Sequence, residues 1–258
     1  MNTTNWLAFA LQMVLMVLLP IGAAIFFRQR FHVPWAVFFI AMGFYLINLI
    51  VQLPFVFAWY ALFSKLPWLA LLLVTLTYGI SEETMRYLSF RAGRSMRANR
   101  TPNGALLAGI GHGGTESIVF ALGAVFSLLT ALLAPQALKA SGVSAAAVLN
   151  APWWTFVLGG FSRILAMTVH LGFATLIMLA YRRSWLFYPL AILLHFVVDF
   201  TTFGIQNLTG SIFWTLLLFA FWAVVAILLL VRVRRMNLGT VEQTEMPAES
   251  SQPGVPAI

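Results

Sequence analysis

The chain has no cysteine among its 258 residues. That removes disulfides, thiolate metal ligands and a cysteine nucleophile, and it leaves the redox compartment unread. Charge is also scarce. Only 9% of the residues are Asp, Glu, Lys or Arg, against about 25% in an ordinary soluble domain, so a water-soluble globule is excluded. Acids are the rarest of all: before the polar tail that begins near residue 237 there are four, Glu82, Glu83, Glu116 and Asp199. The sequence has no H-E-x-x-H helix, no glycine-rich phosphate loop and no internal repeat.

What is present is apolar. Hydrophobic residues make up 61% of the chain and the mean hydropathy is +0.92. Seven runs are long enough to cross a hydrocarbon core of about 30 Å at 1.5 Å per residue. They lie near 6 to 27, 35 to 60, 67 to 88, 103 to 133, 153 to 181, 185 to 205 and 211 to 231. The fold class is therefore an all-α polytopic membrane protein of about seven transmembrane helices, with a core of helices enclosing a polar cavity. The first run has no basic segment before it and no small-residue cleavage site after it, so it reads as a retained span.

The formal charge of +8 sits between these runs. Arg28 and Arg30 follow the first; Arg91, Arg94, Arg97 and Arg100 the third; Arg182 and Arg183 the fifth; Arg232, Arg234 and Arg235 the seventh. The alternate loops hold only Lys65 and Lys139. By the positive-inside rule the N-terminus lies outside and the C-terminus in the cytoplasm. The charge thus encodes topology in a bacterial inner membrane, with the lipid bilayer as partner and no nucleic acid. The expected division is a membrane domain over 1 to 236, its catalytic core about 67 to 205, and a disordered cytoplasmic tail over 237 to 258, poor in aromatics and rich in Pro, Ser and Glu. The segment 89 to 101 reads as a plain topogenic loop, with a basic interfacial element on anionic headgroups as the alternative.

An ionisable side chain inside such runs costs at least about 2.5 kcal/mol, so it is kept where it is paired or used. Glu82, Glu83 and Arg86 share the end of the third run, and at spacings of four and three Arg86 can neutralise one carboxylate. The other is left to face a cavity as a general base. A boundary ion cluster is the bland alternative. His112 and Glu116 are one turn apart in GIGHGGTE, whose glycines suit close helix packing or a broken helix. Arg163 and His170 share nearly one face of the fifth run. His195 and Asp199 are again four apart, a spacing at which a carboxylate can fix an imidazole tautomer. Each pair also has a structural reading, as a polar contact between helices. Asn48 and Gln52, four apart in the second run, fit an interhelical hydrogen bond, with a place in the cavity lining as the alternative, and His32 lies at the membrane surface.

Depth gathers these residues. Counted from the basic loops, Glu82 lies about 9 Å deep, His112 and His195 about 15 Å, His170 about 16 Å, and Glu116 and Asp199 about 21 Å. The slab is compatible with one cavity in the cytoplasmic half of the bilayer.

The motifs EETMRY (Glu82 to Tyr87), HGGTE (His112 to Glu116), His170 with Arg163 upstream, and HFVVD (His195 to Asp199) resemble the YhfC-type branch of the CAAX-protease and bacteriocin-processing superfamily of intramembrane glutamic proteases. EExxR alone is weak; followed in order by HGGxE, a separate His and HxxxD it is fairly specific. The resemblance implies a water-filled chamber in which Glu82 is the general base, Glu83 pairs with Arg86, and His195 with Asp199 steadies the oxyanion or orients water. The prenyl-protein branch has a histidine at the position of Glu116, which leaves His112, Glu116 and His170 as alternatives for the group sharing the water.

The expected function is an intramembrane endopeptidase acting on a membrane-associated protein or peptide. The expected site comprises Glu82, Glu83, Arg86, His112, Glu116, His170, His195 and Asp199. No cofactor is expected; the alternative is zinc on His112, His170, His195 and Glu82, with an open position for water. Competing classes are a proton- or cation-coupled transporter, a scaffold that lost catalysis, and a bis-histidine haem protein that leaves the acids unexplained.

Overall fold

The computed structural model describes residues 1–140, 143–236 and Leu238. In chain order the helices are α1 (Thr3–Met13), continued through a π turn (Val14–Leu18) into α2 (Leu19–Phe31), then α3 (Trp35–Leu62), α4 (Pro67–Ser89), α5 (Gly93–Ala98), α6 (Pro102–Leu133), α7 (Pro135–Ala140), α8 (Ala145–Leu149), α9 (Trp153–Arg182), α10 (Phe187–Thr209) and α11 (Ile212–Arg234). No strand occurs among the described residues. The protein is an all-α, multi-pass membrane protein.

Six of these stretches are long and apolar enough to cross a membrane: Thr3–Phe31, Trp35–Leu62, Pro102–Leu133, Trp153–Arg182, Phe187–Thr209 and Ile212–Arg234. The apolar runs of the sequence predict seven. The remaining long helix, α4, has 23 residues, enough to span, but carries Glu82, Glu83 and Arg86. It meets the length requirement and not the apolar one, because its polar end is shielded by other helices rather than by its own composition. The short helices α7 and α8, in the link between the long helices α6 and α9, have no periodic signal in the sequence. The tail expected to be disordered lies outside the described residues, apart from Leu238.

Local chemistry sets the helix ends and one irregularity. Thr101 caps α6 by accepting from the Gly104 N–H at 3.1 Å, with Pro102 next to it in the first turn. Gly210, at φ 63°, closes α10 in the left-handed conformation. In the first stretch Pro20 has no N–H to offer the Met16 carbonyl four residues earlier. The backbone there widens into the π turn, and the Ser117 hydroxyl of α6 donates to Met16 O at 2.9 Å. That bond ties the N-terminal helical stretch to the helix carrying His112.

In lipid, apolar side chains gain nothing by leaving the solvent, so helices associate by close packing over small residues. Helix α3 packs against α4 and α6, α9 against α6 and α11, and α10 against α4 and α9, so that α3, α4, α10, α9 and α6 form a closed ring. Two glycines permit the closest crossings. A Cβ on Gly79 would stand 2.8 Å from the Ile192 carbonyl oxygen of α10, and one on Gly111 would stand 2.5 Å from the Phe38 carbonyl oxygen of α3. Both obstacles are backbone and cannot rotate away.

The arginine-bearing loops meet at one end of the ring. The Arg234 guanidinium lies 5.0 Å from the Phe31 ring and that of Arg100 3.9 Å from the Tyr181 ring. Arg100 also donates twice to the Phe90 carbonyl, at 3.0 and 2.9 Å, so it clamps the α4–α5 turn rather than facing headgroups.

Gly79→Ala and Gly111→Ala should each lower stability by about 1–3 kcal/mol, the usual cost of overpacking. Gly43→Ala, where an added Cβ meets nothing within 4 Å, should leave it unchanged. Thermal unfolding in detergent micelles checks the three side by side.

Candidate functional site

Four helices of the ring project their titratable side chains into one buried cluster. From α4 come Glu82, Glu83 and Arg86, from α6 His112 and Glu116, from α9 Arg163 and His170, and from α10 His195 and Asp199. Glu83 and Arg86 are almost completely buried, at 0% and 1% exposure, and form an ion pair one turn apart on α4. Arg86 also donates from its second terminal nitrogen to His170 Nδ1 at 2.7 Å. An Arg can only donate, so that bond leaves the neutral ring's proton on Nε2, which meets Glu116 Oε2 at 2.6 Å. The other Glu116 oxygen accepts from Arg163 at 2.9 Å.

The remaining contacts centre on Glu82. His112 Nε2 lies 3.2 Å from Glu82 Oε2 and His195 Nε2 3.9 Å from the same oxygen. The opposite nitrogen of His195, Nδ1, donates to Glu83 Oε1 at 2.7 Å, while Asp199 Oδ2 stands 3.4 Å from Nε2. The three imidazoles lie side by side, with His112 and His170 5.5 Å apart and His170 and His195 5.6 Å apart, centroid to centroid.

All eight residues expected at the site are therefore brought together, with Glu83–Arg86 and His195–Asp199 in contact at helical spacing and the closest partners of the others on facing helices. His112 and Glu116 do not pair with each other; each turns to another helix, His112 to α4 and Glu116 to α9. The carboxylate that fixes the His195 tautomer is Glu83 rather than Asp199. A residue four positions away on one helix has its side chain nearly parallel, whereas a facing helix delivers one head-on.

Several members are not marked by the sequence motifs. Tyr45 meets His112 edge-on at 4.8 Å and Phe173 stacks on His195 at 4.6 Å. Gln52 accepts from Asn48 Nδ2 at 2.7 Å and from Ser81 Oγ at 3.0 Å on its single carbonyl oxygen. Its amide NH₂ has no hydrogen-bond partner among the described residues, on a residue that lines the cavity. Tyr45, Asn48 and Gln52 stand at i, i+3 and i+7 of an otherwise apolar helix, a polar stripe that marks this face as inward.

The cluster opens into a cavity of about 620 Å³. Its floor lies at the depth counted from the basic loops, at Glu82, His170 and His195, and from there it extends away from those loops. On α3 its lining begins at Tyr45 and continues to Leu53, and on α4 it ends at Glu82. On α6 it starts at Glu116 and reaches Ser127. Depth along each helix locates the acids, but the void lies where side chains are small, at Gly123, Ala124 and Gly159.

Two features fit a divalent metal. One ligand atom each from Glu82, His112 and His170 lie within 4.8 Å of one another, all on buried residues; tetrahedral zinc, with bonds of about 2.0–2.2 Å, places donors roughly 3.4 Å apart. His170, whose nitrogens face Arg86 and Glu116, would exchange one of those partners to bind. The charge count points the same way: four carboxylates, Glu82, Glu83, Glu116 and Asp199, face two guanidiniums, Arg86 and Arg163. With three neutral histidines the buried cluster is two positive charges short, and uncompensated charge in this setting is costly. His195, with Glu83 on one nitrogen and Asp199 on the other, makes up one charge when both nitrogens carry protons, and a bound cation can supply the remainder.

Removing one partner of a buried ion pair costs about 3–5 kcal/mol. Arg86→Met, which leaves the fully buried Glu83 with only His195 and also removes the donor to His170, should therefore lower the unfolding midpoint in detergent more than Arg163→Met, whose Glu116 partner keeps His170 and is 13% exposed.

Residues 15–219 match the model of a family described as YhfC intramembrane metalloprotease. The chain is also 30% identical over 219 residues to the uncharacterized membrane protein YhfC of Bacillus subtilis (strain 168), a match covering 72% of this chain and 79% of that protein. No solved structure matches. With the family match extending across all four helices that carry the buried acids, imidazoles and arginines, the chain belongs to the YhfC intramembrane metalloprotease family.

Proposed function

We propose that the protein is an intramembrane endopeptidase that hydrolyses a peptide bond of a membrane-associated protein or peptide at the Glu82–His112–His170 cluster. The carrying observation is the convergence of these three donors, within 4.8 Å and buried, with Glu82 and His170 lining the cavity and His112 just behind Glu82. The family description and the excess of buried carboxylates over guanidiniums favour the metal-dependent form over the metal-free glutamic mechanism expected from the resemblance. Placement in the wider CAAX-protease and bacteriocin-processing superfamily, and with it the EExxR reading of Glu82 to Arg86, belongs to this same proposal.

Glu82, His112 and His170 would hold the metal, with His195 Nε2 facing the same oxygen of Glu82. When bound, a divalent ion polarises a carbonyl and makes water acidic enough to supply a nucleophile near neutral pH. The protein residues do the rest. Glu82 takes the proton from the attacking water as its oxygen bonds to the scissile carbonyl carbon. The proton then passes to the departing amine as the C–N bond breaks, leaving a carboxylate and an amine. His195, held by Glu83 on one nitrogen, directs its other toward the same space, where a proton on it stabilises the developing oxyanion. Glu116 on His170 and Glu83 on His195 are the outer carboxylates that fix ring orientation. Arg86 and Arg163 hold those carboxylates in turn. The free amide of Gln52 offers a donor to a substrate carbonyl.

A single residue tests the reading. Glu82→Gln keeps the shape and removes both the base and the carboxylate of the three-donor cluster, so cleavage should fall by at least about 10²-fold, the usual lower bound for a general base, in a folded, inserted protein. Comparative proteomics of membrane fractions from wild type and variant reads activity and substrate together, and identical peptide profiles would remove the peptidase assignment.

Metal content separates the two forms. Purified protein should carry about one equivalent of zinc or a similar ion, the number one tetrahedral site holds, and His112→Ala should lose it. Chelation should abolish cleavage and zinc restore it. Full activity in metal-free protein would return the mechanism to Glu82 acting on water alone.

A further inference from the structure

The cavity is closed on one side and open on the other. Between the acids and the arginine-bearing loops the ring is filled: Phe90, Met96, Leu107, Ile110, Ile177 and Met178 are each at most 1% exposed. No lining residue lies in that layer. On every helix of the ring the lining starts at the acid and imidazole level and runs away from the basic end. On α6 it extends from Glu116, about 21 Å along the helix from Pro102, to Ser127 at about 38 Å; on α9 it reaches Gly159, about 35 Å from Arg182. A span needs only about 30 Å, so the far end of the cavity reaches the opposite surface.

The rim is apolar. Leu53 of α3, Phe120 of α6 and Phe203 of α10 line the cavity and remain 41%, 51% and 38% exposed. The charged groups lie toward its floor, and the outer wall adds only the neutral Gln12, Ser127 and Ser162. A chain entering through such a mouth meets apolar and neutral side chains first and charged ones last, which suits an extended apolar segment drawn from the bilayer and rejects a charged soluble loop.

We propose that the site opens at the membrane face opposite the arginine-bearing loops, and that its ligand is an apolar peptide segment entering from that face. By the positive-inside rule that face is extracytoplasmic. The direction of opening stands on the packing alone; the identity of the segment as a substrate rests on the peptidase reading above.

The absence of cysteine makes the test direct, because one introduced thiol is the only one in the chain. Ser127→Cys and Ser162→Cys place it on the cavity wall, and Arg94→Cys places a reference thiol on α5 at the basic end. A charged, membrane-impermeant maleimide is added to right-side-out and to inverted vesicles. Ser127→Cys and Ser162→Cys should be labelled in the preparation where Arg94→Cys is protected, and protected where it is labelled. Labelling from the same face as Arg94→Cys, or none from either face, overturns the opening. Labelling of Ser162→Cys should then be slowed by an uncharged peptide of leucine and alanine and not by a glutamate–lysine peptide of equal length. Equal protection by both, or by neither, overturns the ligand class. Labelling requires no turnover, so an inactive protein would sink the peptidase reading and leave this result standing.

Discussion

The shape of the site follows from charge placed where water cannot reach it. Four carboxylates and two guanidiniums are held inside a helical ring, and each charge must find a counter-charge or a hydrogen bond there. Arg86 is the centre of that arrangement. It closes on Glu83 within its own helix and reaches across to His170, so one side chain fixes the relative rotation of α4 and α9. Glu83 in turn holds His195 of α10, and Glu116 links α6 to α9 through His170 and Arg163. The polar network that forms the site is also the one that sets how the four helices face each other.

Such a network would scatter if the helices stood farther apart. Backbone approach at Gly79 and Gly111 brings α4 to α10 and α6 to α3 closely enough for short side chains to meet. Gly113 continues the pattern at the site itself, where an added Cβ would stand 2.8 Å from His170 Cβ. The glycines around His112 in GIGHGGTE are thus explained by close packing of an intact helix. A broken helix exposing its carbonyls, the other reading of that stretch, does not occur: α6 is continuous from Pro102 to Leu133.

How much of this is legible in the sequence depends on which geometry each feature needs. Rise per residue is fixed, so helical position alone places Glu82, His112, His170 and His195 in one layer of the membrane. Rotation is not fixed by one helix alone. The i,i+4 spacing of His112 and Glu116 suggests a pair, yet their imidazole and carboxylate serve opposite neighbours, because the partner of each is chosen by helix packing that no local period encodes. Tyr45 and Gln52 are half-visible, as a polar stripe on an apolar helix. The π turn has a signal in Pro20 and its missing donor to Met16. The direction of the cavity is the least visible feature, since its far end depends on small side chains at Gly123, Ala124 and Gly159 of α6 and α9, which carry no signal of their own in the sequence.

The asymmetry of the cavity bears on what the basic end is for. By sequence the arginines there are topology signals, with an element resting on headgroups as the alternative for the third loop. Arg100 instead stacks on Tyr181 and donates to Phe90 O, and Tyr87 stacks on Tyr181 at 4.6 Å between centroids. Tyr181 closes the group by donating to Tyr87 O at 2.8 Å. These contacts cap the ring one turn beyond Arg86. A site built from a buried, charge-deficient cluster must exclude bulk water on at least one side, or screening would weaken the interactions that position it. The aromatic cap provides that exclusion at the basic end, which leaves the opposite mouth to admit both the water that reacts and the chain it attacks.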